Sequence, residues 1–245
     1  SKIDTLSGAK SMKLVYKGDS NTEPSYIYNL FSGVENSLEY LDVSQFDGST
    51  LYSVGSFFAY LSKLEEINLD GLDISSATML NNLFMNCAKL KFVDLSGIKF
   101  NKHIVSMENV FNGCTSLEKI IGFINLSDCT DYYATFKNCN SLTYVDLTGY
   151  TGAGTIYQSM FKECCSLLEL NLTNFDFNDV EDISHMFECD TTSSNLYFIY
   201  VNDDIPDLSW QDTIFWGCIK LEGYSNSNVW GSMFNYENGY LTLLI

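Results

Sequence analysis

The chain has 245 residues, with 31 acidic residues against 13 lysines and no arginine, which gives a formal net charge of −18. Such acidity argues against binding to nucleic acid or to anionic membrane surfaces, because both need a cationic protein surface. No apolar run is long enough to span a membrane, and the length suits one domain or one solenoid.

A phenylalanine recurs along the whole chain at intervals of 25 to 28 residues. The series consists of Phe31, Phe58, Phe84, Phe111, Phe136, Phe161, Phe187 and Phe215. A period of this length predicts a stack of similar supersecondary units, each of which contacts only its neighbours. Such stacks commonly act through a long repetitive surface rather than through a deep catalytic pocket.

Most units share an apolar pattern around the phenylalanine, which slips by one residue in the first unit, at Leu38. A leucine follows after six residues and aliphatic residues follow after nine and eleven, as Leu90, Val93 and Leu95 do after Phe84. The last two aliphatic residues share one face of an extended strand. The segments before the phenylalanine, such as MLNNLF and DISHMF, repeat apolar residues at intervals of three and four. That spacing predicts a short helix or helical turn.

The stacked units predict an α/β fold, a right-handed leucine-rich-repeat solenoid of about eight turns of ~26 residues. A parallel sheet would form one face, and helical turns and loops the other. We expect one continuous domain, part of a longer protein, with an N-terminal cap at 1–30, the solenoid at 31–221 and a C-terminal cap at 222–245. The fourth unit, with IIGFINLS, and the seventh, with CDTTSSNLYFIYVN, depart from the pattern.

The repeat resembles that of a known family. Its form is Phe-x-x-Cys-x-x-Leu-x-x-hydrophobic-Asp-Leu-Ser, as in FMNCAKLKFVDLSGIKF from Phe84 and FKNCNSLTYVDLTGY from Phe136. This is similar to the BspA-like bacterial surface leucine-rich repeats, in the variant of mycoplasmas and gut or oral anaerobes. The resemblance covers residues 26–224. It implies a secreted or cell-surface protein whose signal peptide or anchor lies outside this sequence, and adhesion to host proteins, matrix proteins or neighbouring cells.

Most of the eight cysteines occupy one position of the repeat, three residues after the phenylalanine. These are Cys87, Cys114, Cys139, Cys164 and Cys218. Val34 and Leu61 take this position in the first two units, which is typical of a small buried slot. Cys129 and Cys189 are also interpreted as buried, so we predict reduced core thiols. Cys165 points away from the slot, and whether Cys164 and Cys165 are oxidised stays open.

The residues between the strand aliphatics point out of the predicted sheet, and stacking arranges them in columns. The first column contains Tyr40, Glu66, Phe92, Lys119, Tyr144, Glu169 and, in the irregular seventh unit, Phe198. The next column contains Asp42, Asn68, Asp94, Asp146 and Asn171. Exposed aromatic residues among polar groups are typical of surfaces that recognise proteins and carbohydrates. We therefore predict that these two columns bind a partner.

The column of Asp and Asn residues has a second interpretation, in which each side chain hydrogen-bonds the turn after its strand. Both interpretations stay open. The aromatic residues Tyr40, Phe92 and Tyr144 have no turn-forming role, which favours binding for the first column. A carboxylate column also suits Ca²⁺, but alternating amides and missing bidentate spacing disfavour it. We predict no metal and no cofactor.

The two histidines, His103 and His185, take different positions in the repeat and lie beside no recognisable nucleophile or metal-ligand motif. We therefore predict a binding module rather than an enzyme. Its expected partner is a host-surface or matrix protein, or a glycan, and its oligomeric state is open. A passive spacer that carries another domain is an alternative. A glycan-active enzyme that uses Asp94 and Asp146 is a remote one.

Overall fold

The structure is a computed structural model that describes residues 8–16, 30–31, 33–122, 126–147, 150, 154–190, 194–201, 213–221 and 242–243. The predicted caps at 1–30 and 222–245 lie mostly outside these residues.

Short parallel strands recur from turn to turn. In the described residues they are β1 (Ser11–Tyr16), β2 (Tyr40–Phe46), β3 (Glu66–Asn68), β4 (Asp73–Ile74), β5 (Phe92–Asp94), β6 (Lys99–Phe100), β7 (Lys119–Ile121), β8 (Tyr144–Val145), β9 (Glu169–Asn171), β10 (Phe198–Val201) and β11 (Thr242–Leu243). They pair in the orders β1-β2-β3, β5-β7-β8 and β9-β10-β11, and β4 pairs with β6. Every one of these ladders is parallel.

A second ladder joins the turns at the position five residues before each phenylalanine. Parallel bridges link successive members of the series Ser53, Met79, Ser106, Asp131, Ile156 and Asp182. Each member lies one repeat further along the chain than the one before. The protein is therefore a β-solenoid of about six turns with parallel strands, and the predicted eight turns are not confirmed.

The segments predicted as helical turns are not helices. No described residue is helical, so the α/β class is not confirmed, and no helix there is long and apolar enough to cross a bilayer. The residues two before and two after the phenylalanine have positive φ, as at Asn82 and Asn86 (both 61°) around Phe84. A right-handed helix cannot continue through such residues. Residues with positive φ occupy the same two positions around Phe58, Phe111, Phe136, Phe161 and Phe215.

The residues with positive φ orient backbone N–H groups toward the following turn of the solenoid. The amides of Asn82, Phe84 and Asn86 each donate to a carbonyl of the next turn at 2.8 Å. The amides of Leu83 and Met85 between them instead close local turns to carbonyls three residues back. Hydrogen bonds between turns therefore replace those of a helix, and the buried backbone stays satisfied.

The phenylalanines form one column of rings inside the solenoid. Neighbouring ring centroids are 5.1 to 6.1 Å apart from Phe31 to Phe215. Each of the eight side chains is at most 3% exposed. The column is the centre of the core, and the leucines and valines of the strands pack around it.

The predicted cysteine slot is confirmed at the five positions that follow a phenylalanine by three residues, where every thiol is buried and free. Each thiol donates to the carbonyl of the phenylalanine in the preceding turn, as Cys114 Sγ does to Phe84 O at 3.1 Å. Burial raises the pKa of Cys87 and of Cys218 to about 12. These two thiols therefore remain protonated near neutral pH.

The prediction that Cys189 is a reduced core thiol was wrong. Cys189 forms a disulfide with Cys165, and their Cα atoms are 6.0 Å apart. Cys189 lies two residues after Phe187, and Cys165 lies four residues after Phe161, so neither side chain enters the slot at three. The two side chains meet instead between adjacent turns and link them covalently.

Replacing Phe111 with alanine should lower the free energy of unfolding by about 3–5 kcal/mol, because it removes a fully buried ring from the middle of the column. Urea denaturation followed by circular dichroism measures the change. The matched control is Phe92→Ala, since the Phe92 side chain is 45% exposed, and its cost should stay below about 1 kcal/mol. Equal costs for the two variants would contradict the ring column as the core.

Alkylation at pH 8 should label none of the six free, buried cysteines in the native protein. Their burial limits access, and a raised pKa keeps the titrating thiols protonated. Mass spectrometry should find six labels after denaturation and all eight after denaturation with a reductant. Eight labels without a reductant would show that Cys165 and Cys189 are not joined.

Candidate binding site on the strand face

Parallel pairing places the predicted first column along one face of the solenoid. The register pairs Tyr40 with Glu66, Phe92 with Lys119, Lys119 with Tyr144, and Glu169 with Phe198. All seven of these residues are exposed. We call this surface the strand face. It presents four aromatic rings and three charged groups to solvent.

The second column forms turns at the ends of the strands. Asp42, Asn68, Asp94 and Asn171 each accept the backbone N–H of the residue two positions later, at 2.9 to 3.1 Å. Hydrogen bonds from Ser44, together with the nearby Lys13 ammonium, lower the pKa of Asp42. The turn-forming interpretation is therefore confirmed for these four residues.

The strand ladder is interrupted between β8 and β9. Among the described residues β8 pairs with β7 and β9 pairs with β10, but no ladder joins β8 to β9. A second interruption separates β3 from β5. At the β8–β9 interruption the core beneath is continuous, since the rings of Phe136 and Phe161 stack at 5.1 Å. The turns therefore stay stacked while their strands are unpaired.

Bulky buried rings occur in the turn where the strands lose their pairing. Tyr150 takes the repeat position that Leu72 and Ile98 hold in earlier turns, and Tyr157 is also completely buried. The ring of Tyr150 stacks on that of Phe175 in the next turn, with centroids 3.8 Å apart. Buried rings therefore fill the core of this turn, where earlier turns place the smaller side chains of Leu72 and Ile98.

A groove of about 680 Å³ opens on the strand face at this interruption. Its lining includes Tyr144 and Asp146 from the β8 side, Glu169 and Asn171 from β9, and Tyr197, Phe198 and Tyr200 around β10. Five residues of the two predicted columns are thus brought together here. The other predicted residues, Tyr40, Asp42, Glu66, Asn68, Phe92, Asp94 and Lys119, lie on earlier turns and do not line it.

The groove combines aromatic surface with hydrogen-bonding groups. The rings of Phe198 and Tyr200 stack with centroids 6.2 Å apart, and Tyr200 Oη donates to Glu169 Oε2 at 3.3 Å. Partial burial and the Glu169 carboxylate raise the pKa of Tyr200, so its hydroxyl remains a donor. Lys119 Nζ lies 5.3 Å from the centroid of the Tyr144 ring, which is still half exposed. The volume falls in the range of pockets that bind small ligands or short segments of polymers.

Two of the lining residues that sequence reasoning missed are large, exposed side chains. Leu168, 52% exposed, and Tyr197, 43% exposed, lie just before their strands rather than between the strand aliphatics. If the strand ladder were unbroken, both side chains would lie at the rim of the strand face. The sequence signal that could have found them is an apolar residue directly before the outward column, where other units carry Lys91, Glu118 or Thr143.

A second concavity, of about 620 Å³, lies along the other ladder and contains the carboxylates of Glu108, Asp131, Glu181 and Asp182. Two of these carboxylates have structural roles. Asp131 accepts the backbone N–H of Tyr133 at 2.9 Å, and Asp182 that of Ser184 at 2.8 Å. In the described part of the chain, no three cysteine, histidine or acidic side chains form a group able to hold a metal ion.

His185 belongs to a polar cluster between the last described turns. Its Nδ1 atom contacts both the Glu188 carboxylate and Thr213 Oγ1, and Lys162 Nζ lies 2.7 Å from the other Glu188 oxygen. A catalytic relay would need the hydroxyl and the carboxylate on different ring nitrogens. Here both contact the same nitrogen, so the cluster is a structural ion-pair network. His103, exposed on another turn, pairs with Asp128 at 2.5 Å.

Glu188→Gln should lower the free energy of unfolding by roughly 2–3 kcal/mol at pH 7, because it leaves the Lys162 ammonium without its partner. Burial opposes ionisation of Glu188, but the bonds from Lys162, His185 and Thr213 prevail and lower its pKa. Because the pKa of Glu188 is lower in the folded protein, its ionisation stabilises the fold at pH values above the unfolded pKa of about 4.3. This stabilisation is lost as the pH falls through the lowered pKa of the folded protein.

Urea denaturation of both proteins at pH 7 and pH 3 measures this effect. The difference between the wild type and Glu188→Gln should shrink at pH 3. The exposed Glu118 provides a control, Glu118→Gln, which should change stability by less than about 0.5 kcal/mol at either pH. A difference between wild type and Glu188→Gln that does not depend on pH would contradict an ionised Glu188.

A family model described as "Mycoplasma protein of unknown function, DUF285" matches residues 25–150 and 96–197. The two matches overlap, as expected for a repeating sequence, and together they cover more than half of the chain. They contain strands β2 to β9 and therefore the interruption between β8 and β9. No curated protein matches the chain.

Proposed function

Since the chain belongs to the DUF285 family of Mycoplasma proteins of unknown function, we propose that it is a binding module that attaches to another macromolecule through the strand face. The observation that supports this best is the groove at β8 and β9. There the exposed rings of Tyr144 and Phe198 flank the Glu169 carboxylate. Aromatic anchors beside hydrogen-bonding groups are typical of recognition surfaces.

We also propose a specific type of solenoid for this chain. We infer a right-handed solenoid of leucine-rich-repeat type, related to the BspA-like surface repeats, in which turns replace the expected helices. The family match is consistent with that relationship. The column of eight rings from Phe31 to Phe215 supports eight turns rather than six.

We place the protein outside the cell, secreted or held at the cell surface. The Cys165–Cys189 disulfide supports this, because disulfides persist in oxidising compartments and are rare in the cytosol. The formal charge of −18 suits a soluble, exposed surface. The proposed role is adhesion to a host or neighbouring cell, with a surface protein, a matrix protein or a glycan as the partner.

We propose binding without catalysis. The candidate acid pair Asp94 and Asp146 lies on different turns, and Asp94 is engaged by the backbone and hydroxyl of Ser96 at 2.9 and 2.6 Å. Glu169 accepts the hydroxyl of Tyr200. A passive spacer remains the competing proposal, and it differs in needing no exposed aromatic residue on the strand face.

The triple variant Tyr40→Ser, Phe92→Ser and Tyr144→Ser should lose at least tenfold in adhesion to host cells or matrix-coated surfaces, because truncating aromatic anchors removes most of the contact energy. Its circular dichroism spectrum and melting temperature should match those of the wild type, since all three rings are exposed.

The matched control replaces three exposed aromatic residues away from the strand face, Tyr52, Tyr60 and Trp216, with serine. Adhesion of this control should equal that of the wild type. If the strand-face variant and the control adhere equally well, the strand face is not the binding surface, and the spacer proposal is favoured.

A further inference from the structure

Aromatic and charged side chains alternate along the first column of the strand face. In chain order the column reads Tyr40, Glu66, Phe92, Lys119, Tyr144, Glu169 and Phe198. Successive residues of the column come from successive turns, so an aromatic ring recurs on every second turn. The four rings are 36 to 50% exposed. The alternation therefore presents a periodic row of rings to solvent along the axis of the solenoid.

The distance between the rings follows from strand pairing. Phe92, Lys119 and Tyr144 are in register on the paired strands β5, β7 and β8, so two strand separations, ~9.6 Å, lie between the two aromatic positions. An extended β-1,4-linked glycan rotates each sugar by about half a turn relative to the last. The same face of the chain therefore recurs on every second sugar, at nearly the same distance.

We propose that the strand face binds a β-1,4-linked glycan chain that lies along the solenoid axis, across the strands. This inference rests on the proposed binding function and names its ligand. Every second sugar would pack its apolar face against a ring of the column. Between the rings, Glu66, Lys119 and Glu169 present the hydrogen-bonding groups that sugar hydroxyls require.

The arrangement of the rings favours a glycan over a protein partner. Protein interfaces concentrate their aromatic anchors in a central apolar patch from which water is excluded. On the strand face a charged residue separates each ring from the next, as Lys119 separates Phe92 from Tyr144. A linear polymer with the same repeat contacts Phe92 and Tyr144 without burying the Lys119 ammonium between them.

Charge narrows the class of glycan. The column has two carboxylates for one ammonium, and the chain has a formal charge of −18, so anionic polysaccharides are repelled. Neutral and N-acetylated sugars suit the surface. The groove of about 680 Å³ lined by Tyr144 and Phe198 provides a concave subsite, where Tyr197 and Tyr200 add ring surface and a hydroxyl group.

The test is calorimetric titration of the full chain with hexasaccharides. The probes are the β-1,4-linked hexamers of N-acetylglucosamine and of glucose, and the α-1,4-linked glucose hexamer is the control for linkage. At least one β-linked hexamer should bind, and its trisaccharide should bind at least tenfold more weakly because it reaches fewer rings. Tyr144→Ser should weaken the hexamer roughly tenfold, as the loss of one stacking ring does. Tyr52→Ser, which removes an exposed ring elsewhere, should change nothing.

The proposal is overturned if neither β-linked hexamer binds, if the α-linked hexamer binds as well, or if Tyr144→Ser binds like the wild type. Its failure can be told apart from failure of the proposed function. If neither β-linked hexamer binds but the triple strand-face variant still loses adhesion, the face binds a different partner, and only the inference of a β-1,4-linked glycan falls. If adhesion is also unchanged in that variant, the binding function falls as well.

Discussion

The solenoid depends on one constraint, the positive φ two residues before and two residues after six of the core phenylalanines, as around Phe84. Positive φ at Asn82 and Asn86 aligns the amides of this segment toward the next turn, where they bond at 2.8 Å. The same bonds hold the rings of Phe84 and Phe111 in parallel contact, with planes only 2° apart. Backbone pairing and ring stacking are therefore two consequences of the same local conformation, and each turn adds to the column in one direction and one register.

Because the ring column holds the turns together, the strand ladder can be interrupted without loss of the fold. Between β8 and β9 the strands are unpaired, yet Phe136 stacks on Phe161 and Asp131 bridges Ile156 on the second ladder. In a solenoid held together by its sheet alone, the same interruption would separate the stack into two parts. Here it produces a groove on a rigid scaffold, which is where binding residues are commonly placed.

The spacing of residues in the sequence predicts the stack, the buried cysteine slot and the outward columns, because all three depend on the period alone. It does not predict the conformation before each phenylalanine. Leu80, Leu83 and Phe84 are buried at the intervals of three and four residues that a helix would give. A run of tight turns with positive φ at intervals buries its residues at the same spacing. The sequence does hold a signal for the turns: Asn82 and Asn86 occupy the positive-φ positions, which asparagine tolerates better than most residues do.

The disulfide and the groove were beyond the reach of periodicity because both arise where the repeat is irregular. Cys189 lies one position away from the slot that the other cysteines occupy, and this shift directs its side chain to Cys165 instead of the core. The groove lies where β8 and β9 are unpaired, and the repeat period alone does not predict which strands lose their pairing. Sequence regularity predicts the scaffold, and the exceptions to it create the site.

The two walls of the groove belong to separately fixed blocks. On one side β8 is paired with β7, and on the other Tyr197 N–H bonds the carbonyl of Leu168 at 2.8 Å. Cys165 belongs to the second block, because its carbonyl accepts the amide of Asn195 at 2.8 Å. Its disulfide with Cys189 adds a covalent link to that block. Neither wall needs to become ordered when a ligand enters, so little conformational entropy is lost on binding. This preorganisation favours the proposed binding function, because an open surface with few aromatic contacts has little binding free energy to lose to ordering.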